Sequence, residues 1–338
     1  MINQTFIIAE AGVNHNGRLD LALKLIEAAH QAGADAVKFQ TFRTEKVITR
    51  AAPMADYQKK NIGNEGSQFD MLRQLELSYA EFVILHAYCK EIGIQFLSTP
   101  DEEESLDFLA NKLDLPWLKV GSGEINNFSF LRRIASKNRT VILSTGMSTL
   151  GEVEKALNVL QDGGAAEVVL LHCTTNYPCP LAEVNLRAML TLREAFKVRV
   201  GYSDHTLGWT VPVAAVAMGA EIIEKHFTLD SSMDGPDHKA SLDPIQLKEM
   251  VTAIRGIESA MGDGIKRPNS SEERLKPLIR RVIVGSRDIP KGIKLSQGDL
   301  LLKRNSQGLG AEYLDILLGK QLKKPLNTDE PLTMEHFL

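Results

Sequence analysis

Eight short β-branched or apolar runs recur along the first three quarters of the chain, and nearly every one ends in polar, chemically capable residues. The runs cover 6–9, 36–39, 95–97, 117–120, 140–143, 168–171, 198–201 and 221–224. Helix-like stretches lie between several of them, at 20–32, 79–92, 150–160, 212–218 and 244–261, each followed closely by glycine. Strands that alternate with helices make a parallel sheet. Eight of them can close into a (β/α)8 TIM barrel, whose active site collects at the carboxyl ends of the strands. The expected fold class is therefore α/β, with the site at those ends.

The rhythm breaks twice. Residues 56–76 are polar with a helical second half and read as an insertion over the barrel mouth. After Gly264 the composition shifts: 265–280 is charged and Ser-rich, with Pro268 and Pro277, which suits a linker. Short β-like runs follow at 282–284 and 300–302. This predicts a barrel domain over 1–264, a linker over 265–280 and a small β domain over 281–338.

The 338 residues are 43% hydrophobic and 24% charged, enough for a large core, and the net charge is −4. No Lys/Arg-rich arm is present, so nucleic acid is not an expected partner. Nor does any apolar stretch reach bilayer-spanning length, so no membrane is expected either. The start, Met1-Ile2-Asn3-Gln4, lacks the features of a secretory leader. Three cysteines do not make a disulfide framework, and a reducing, cytoplasmic setting is expected.

His205 and His226 end the seventh and eighth runs, neighbours in a barrel. Two imidazoles without a cysteine pair suit a divalent metal with open positions; the alternative is a structural pair. Lys38 and Lys119 sit inside apolar runs, where an ammonium is costly unless matched. Either they pair with carboxylates in the interior or they bind an anion. Gln40 shares the face of Lys38. Thr99, Ser122 and Ser144 add hydroxyls, and Gly121-Ser122-Gly123 lets backbone amides approach a ligand. Glu10, Glu124 and Glu224 are the carboxylates at run ends. Glu10 suits a general base or an ion pair with a lysine. Asn16 is expected as a cap. Cys173 lacks a base that would make it a nucleophile, and Lys225, a conceivable Schiff-base lysine, faces away from Glu224 and His226.

These segments resemble the sialic acid (nonulosonic acid) synthase family. The resemblance is carried by Ile8 to Gly17, Val37 to Thr41, Leu97 to Pro100, Lys119 to Glu124, Leu143 to Met147, His172 to Thr174, Tyr202 to Thr206, Glu224 to Thr228 and Gly235 to His238. It covers essentially the whole chain. The end, from Arg280 through Gly292, resembles the antifreeze-like (SAF) domain that follows the barrel in this family. The resemblance implies condensation of phosphoenolpyruvate with an N-acetylmannosamine-type sugar and water, giving a nine-carbon α-keto acid and phosphate. It implies catalytic duty for Glu10, Lys38, Lys119 and Glu124, and phosphoenolpyruvate binding by Lys38, Thr99, Lys119, Ser122 and Ser144. Gln40, Asn176, Tyr177, Asp237 and Arg304 are implied on the sugar side. His205 and His226 are implied as ligands of a divalent metal, manganese or magnesium, with no organic cofactor. A domain-swapped homodimer is implied too, the small domain of one protomer covering its partner's barrel.

The chain departs from the family pattern at two places. Asp101 stands where phenylalanine is common, and Asn305-Ser306 follows Arg304 where Pro-Gly is usual. Both bear on specificity. The motifs look like the neuraminate and legionaminate branches and less like the pseudaminate branch. Alternatives are a condensing enzyme acting on another aldose, such as a sugar phosphate, and a non-catalytic barrel that binds an anion.

Overall fold

The structure is a computed structural model and describes residues 4–54 and 67–338. Eight parallel strands, β1 (Phe6–Gly12), β2 (Ala36–Thr41), β3 (Gln95–Pro100), β4 (Trp117–Val120), β5 (Thr140–Ser144), β6 (Glu167–His172), β7 (Val200–Asp204) and β8 (Ile222–His226), form one sheet. Hydrogen-bonded neighbours run β3-β2-β1-β8-β7-β6-β5-β4, and β3 packs beside β4 to close the ring. The expected barrel is present. All but β4 reach further toward their carboxyl ends than the apolar runs do, because polar residues can continue a strand while staying buried. Tyr202, Ser203 and Asp204, for example, continue β7.

Helices Leu19–Ala32, Tyr79–Ile92, Leu150–Asp162, Thr210–Ala217 and Pro244–Met261 cover the outside near their expected places. Their apolar stripes, such as Leu25, Ile26 and Ala29, are buried against the sheet. Two further helices, Phe128–Ala135 and Ala188–Phe196, complete crossovers that periodicity alone had left open. Each has only two turns or so, and tertiary packing supplies most of the stability of such short helices.

The barrel interior is layered. Ile8, Ala36, Leu97, Ile142, Val169, Leu171 and Ile222 form an apolar floor, with the Phe6 and Trp117 rings 4.6 Å apart beneath it. One side-chain step further along the strands, the inward residues become polar, and on β1, β2, β4 and β8 they are ionisable: Glu10, Lys38, Lys119 and Glu224. The strand ends thus open onto a site seated on a dry base.

Part of the insertion expected over 56–76 lies outside the described residues. Its second half is the helix Gln68–Leu75, capped by Ser67, whose hydroxyl accepts the Asp70 N–H at 3.1 Å. Leu75 packs with Val13 and Phe42 just beyond the ends of β1 and β2.

The chain divides into two compact units, Met1–Gly262 and Asp263–Leu338. Where composition suggested a linker, the second unit begins with the helix Ser270–Ile279, started by an Asn269–Glu272 capping box. Strands β9 (Arg281–Gly285) and β10 (Leu300–Arg304) then pair antiparallel. Ile283, Ile289, Leu295, Leu322, Leu326 and Leu332 make a small separate core. Among the described residues, no helix is long and apolar enough to cross a membrane.

Candidate active site

Period-two alternation carries Glu10, Lys38, Lys119, Ser144, Ser203 and Glu224 into the barrel just above its apolar floor. Glu10 has help from the backbone. The β1–β2 register slips between Glu10 and Gly12, a bulge, and Gly12 adopts φ 52° there. A Cβ at Gly12 would stand 3.2 Å from Glu10 Oε1, so glycine both permits the bend and leaves the carboxylate its space.

The result is a buried quartet of two ammonium groups and two carboxylates. Lys38 Nζ lies 2.7 Å from Glu10 Oε2 and 3.8 Å from Glu224 Oε2. It also donates to the Thr99 hydroxyl at 3.1 Å. Lys119 Nζ lies 3.6 Å from Glu224 Oε1 and donates to Ser144 Oγ at 2.8 Å. Ser203 donates to Glu224 at 3.0 Å.

Burial and neighbours pull these groups apart. Burial works against the Lys38 ammonium, but Glu10 and Glu224 outweigh it and hold its pKa above the ordinary lysine value. Burial prevails at Lys119 and lowers it. It also lifts Glu10 to about 7, against the pull of Lys38 and with repulsion from Glu224. Burial opposes the Glu224 anion as well, but the two lysines overcome it and lower that pKa.

Over the quartet stand the two imidazoles, their ring centroids 5.5 Å apart. The Tyr177 ring lies 4.0 Å from His205 and 5.5 Å from His226. His205 Nδ1 is 2.6 Å from the Thr174 carbonyl, so this nitrogen carries the proton and Nε2 keeps its lone pair. Among the described residues, buried His226 Nδ1 has no hydrogen-bond partner. Burial brings His205 down to about 4 and His226 well below its ordinary value, so both rings are neutral.

Two neutral imidazoles, one with an orphaned nitrogen, are the donor set a borderline divalent ion accepts. Among the described residues no third His, Cys, Asp or Glu joins them. To such an ion the protein would offer two ligands, and the remaining positions would fall to water or substrate.

A cavity of about 200 Å³ gathers these groups. It is smaller than the ~300–1,000 Å³ of drug-sized sites and is scaled to a small anion. Of the residues singled out from sequence, Glu10, Lys38, Gln40, Thr99, Asp101, Lys119, Ser122, Ser144, Cys173, Tyr177, His205, Glu224 and His226 line it.

Four others do not. Glu124 lies in the turn after β4, where its carboxylate accepts the Asn127 amide at 2.8 Å. The Asn176 amide is directed to Glu183 at 3.4 Å, while Thr175 lines the cavity. Alternation continues past the end of β6, so Cys173, Thr175 and Tyr177 face inward and Asn176 does not. Asp237 is buried in the segment after β8, where burial raises its carboxyl to about 6. Arg304 is exposed at the end of β10, in the second unit.

Other neighbours prove structural. Asp204, next to His205 in sequence, faces the other side of β7. There it pairs with the fully buried Lys225 at 2.6 Å and accepts the Tyr202 hydroxyl at 3.0 Å. Lys225 also donates to the Thr206 carbonyl, which suits a structural ammonium and not a Schiff-base one. Asn16, expected as a cap, instead ties two loops together: its amide donates to Asp234 O at 3.0 Å and its Oδ1 meets His238 Nε2 at 3.1 Å. Cys173 lines the cavity, with its thiol 3.2 Å from Ser122 Oγ.

Comparison with known proteins adds an independent line. Residues 25–266 match the NeuB family and residues 280–338 match the SAF domain. An N,N'-diacetyllegionaminic acid synthase of Campylobacter jejuni is 51% identical over 331 residues, 97% of this chain and 99% of the relative. A protein of the same name from Legionella pneumophila is 45% identical over 98% of this chain and 94% of its own length. The crystal structure of an N-acetylneuraminic acid synthetase from Leptospira borgpetersenii, in complex with citrate, superposes with a TM-score of 0.71 at 34% identity. It covers 80% of this chain and 90% of that one.

Proposed function

The chain belongs to the NeuB family, with a C-terminal SAF domain, and on that premise we propose that it condenses phosphoenolpyruvate with an N-acylated mannose-type sugar and water. The products are a nine-carbon α-keto acid and inorganic phosphate. The observation that carries this reading is the convergence of Lys38 and Lys119 with His205 and His226 in one cavity at the strand ends. The amines suit a polyanionic nucleophile; the imidazoles suit the electrophile beside it.

Lys38 and Lys119 hold the carboxylate and phosphate of phosphoenolpyruvate, each steadied by a hydroxyl, Thr99 for one and Ser144 for the other. The Ser122 hydroxyl, which accepts the Gly146 N–H at 2.9 Å, has its own proton to offer an anionic oxygen. His205 and His226 would hold a manganese or magnesium ion, which when bound acts as a Lewis acid on the sugar aldehyde. Gln40 and Tyr177 line the side where the sugar enters. The enolpyruvate C3 attacks the aldehyde carbon, and water adds at C2. Glu10 accepts one proton of that water and returns it to the new alkoxide, and the C2 hydroxyl gives its remaining proton to the departing phosphate as the keto group forms. Phosphate leaves by C–O cleavage, so no phosphoryl-transfer machinery is required.

Among sugars, the likeness to two N,N'-diacetyllegionaminic acid synthases favours a 2,4-diacetamido mannose-type acceptor for this chain. The remainder of the reading is a homodimer in which the C-terminal domain of one protomer covers its partner's barrel, with Arg304 directed to an acylamino group. Three free cysteines suit the cytoplasm.

The test is a mass spectrum of the product formed with each candidate sugar, alongside a phosphate assay. The reading expects phosphate release and a nine-carbon acid with the diacetamido sugar, and weaker turnover with N-acetylmannosamine. Release only with a sugar phosphate, or with no sugar at all, overturns it.

A further inference from the structure

Before any metal ion is counted, the side-chain charges of the cavity do not balance for an incoming anion. Lys38 and Lys119 supply two ammonium groups, whereas Glu10, Glu224 and Asp101 supply three carboxylates. Two of the carboxylates are engaged: Glu10 with Lys38, and Glu224 with Ser203 and both lysines. Asp101 is the odd one. It follows β3 directly, two residues past Thr99, so alternation turns it to the same side. Its backbone N–H donates to the Thr41 carbonyl at 3.1 Å, which fixes the position. Among the described residues its carboxylate has neither a hydrogen bond nor an ion pair.

Four charged groups face it. Lys38 on β2 and Lys119 on β4 favour its anion; Glu124, in the turn after β4, and Glu102, its own neighbour, oppose it. Asp101 is only partly buried, yet its desolvation within the cavity outweighs the lysines and lifts its carboxyl to about 7. A phosphate and a carboxylate entering the cavity would add repulsion of the same sign.

We propose that Asp101 takes up a proton when a polyanion enters this cavity, so that anion binding is coupled to protonation of this one carboxylate. The inference rests on reading the cavity as the phosphoenolpyruvate site. The step is simple in its balance: carboxylate, one solvent proton and ligand anion give a carboxylic acid within the complex, with no covalent change in the ligand. Protonated, Asp101 ceases to repel the ligand and becomes an O–H donor to it. A residue that would otherwise exclude the substrate thereby helps to hold it, and does so best toward the acid side of neutrality.

The experiment is calorimetric titration of the full-length protein with phosphoenolpyruvate between pH 7 and 8.5, in pairs of buffers with different ionisation heats. The unaltered chain should take up as much as about one proton per anion, with affinity falling by up to about tenfold per pH unit. Asp101→Asn and Asp101→Ser should still bind, lose that proton and show a flatter pH dependence. Equal proton uptake in the variants and the unaltered chain overturns the inference while leaving the site reading intact. If the unaltered chain does not bind phosphoenolpyruvate at all, the site reading fails and the inference fails with it.

Discussion

Lys38 Nζ lies 2.7 Å from Glu10 Oε2, and the two side chains, 3% and 1% exposed, come from register-paired positions on adjacent strands. Both ions are out of water, so each is tolerable only in the presence of the other. Removing the amine strands a buried carboxylate, which typically costs about 3–5 kcal/mol. Lys38→Met should therefore lower unfolding stability by that order in urea titrations. It should also abolish detectable phosphoenolpyruvate binding. A variant that kept full affinity for the anion would remove Lys38 from the proposed site.

A second prediction concerns how closely β7 and β8 approach. Gly201 lies on β7, and a Cβ there would stand 2.3 Å from the Ile222 backbone oxygen and 2.7 Å from Leu171 Cδ2. Neither obstacle can swing away, since one is backbone and the other belongs to the packed floor. Gly201→Ala should cost about 1–3 kcal/mol through overpacking. Because His205 directly follows β7 and His226 ends β8, the same change should weaken divalent-ion binding. Thermal unfolding and a metal titration of one preparation report both effects.

Much of the arrangement was legible because barrel strands obey a period of two. Lys38 with Gln40, and His205 beside His226, follow from alternation and strand adjacency alone. Where the placements differ, the cause is the same. Alternation persists past the end of β6, so Thr175 and Tyr177 face the cavity and Asn176 does not. Glu224 stood out as a carboxylate, but its place at the centre of the quartet depends on the barrel closing, which brings β2, β4 and β8 within reach of one point. No local pattern encodes that distance. Asp204 shows the reverse: close in sequence to His205, it belongs to the opposite face and serves Lys225.

The metal can be tested without turnover. A ligand held by the folded state alone stabilises it by about 2.7 kcal/mol at a hundred times its dissociation constant. Manganese should raise the melting temperature of the unaltered protein, and excess chelator should reverse the rise. His226→Gln should lose most of the shift while folding normally. If manganese stabilised both proteins equally, the two imidazoles would not be its ligands.

Acid should weaken the fold through His15, a residue distant in role from the reaction. His15 is 1% exposed, and its Nδ1 accepts the Gly17 N–H at 3.1 Å. Burial, helped by His238, brings its pKa from 6.5 to about 4. The unfolded chain therefore binds this proton more readily than the folded one. Above pH 6.5 both states are neutral here and the full stability is present; as pH falls from 6.5 toward 4, stability is lost. The shift corresponds to about 3 kcal/mol at the acid limit. His15→Asn offers the Gly17 N–H an acceptor but has no titrating ring. Its unfolding free energy, measured in urea from pH 7 to 4, should fall less steeply than that of the unaltered chain, by up to about one proton in the slope. Parallel curves would mean that His15 is already neutral in the unfolded state at these pH values, or that it finds a way to be charged in the folded one.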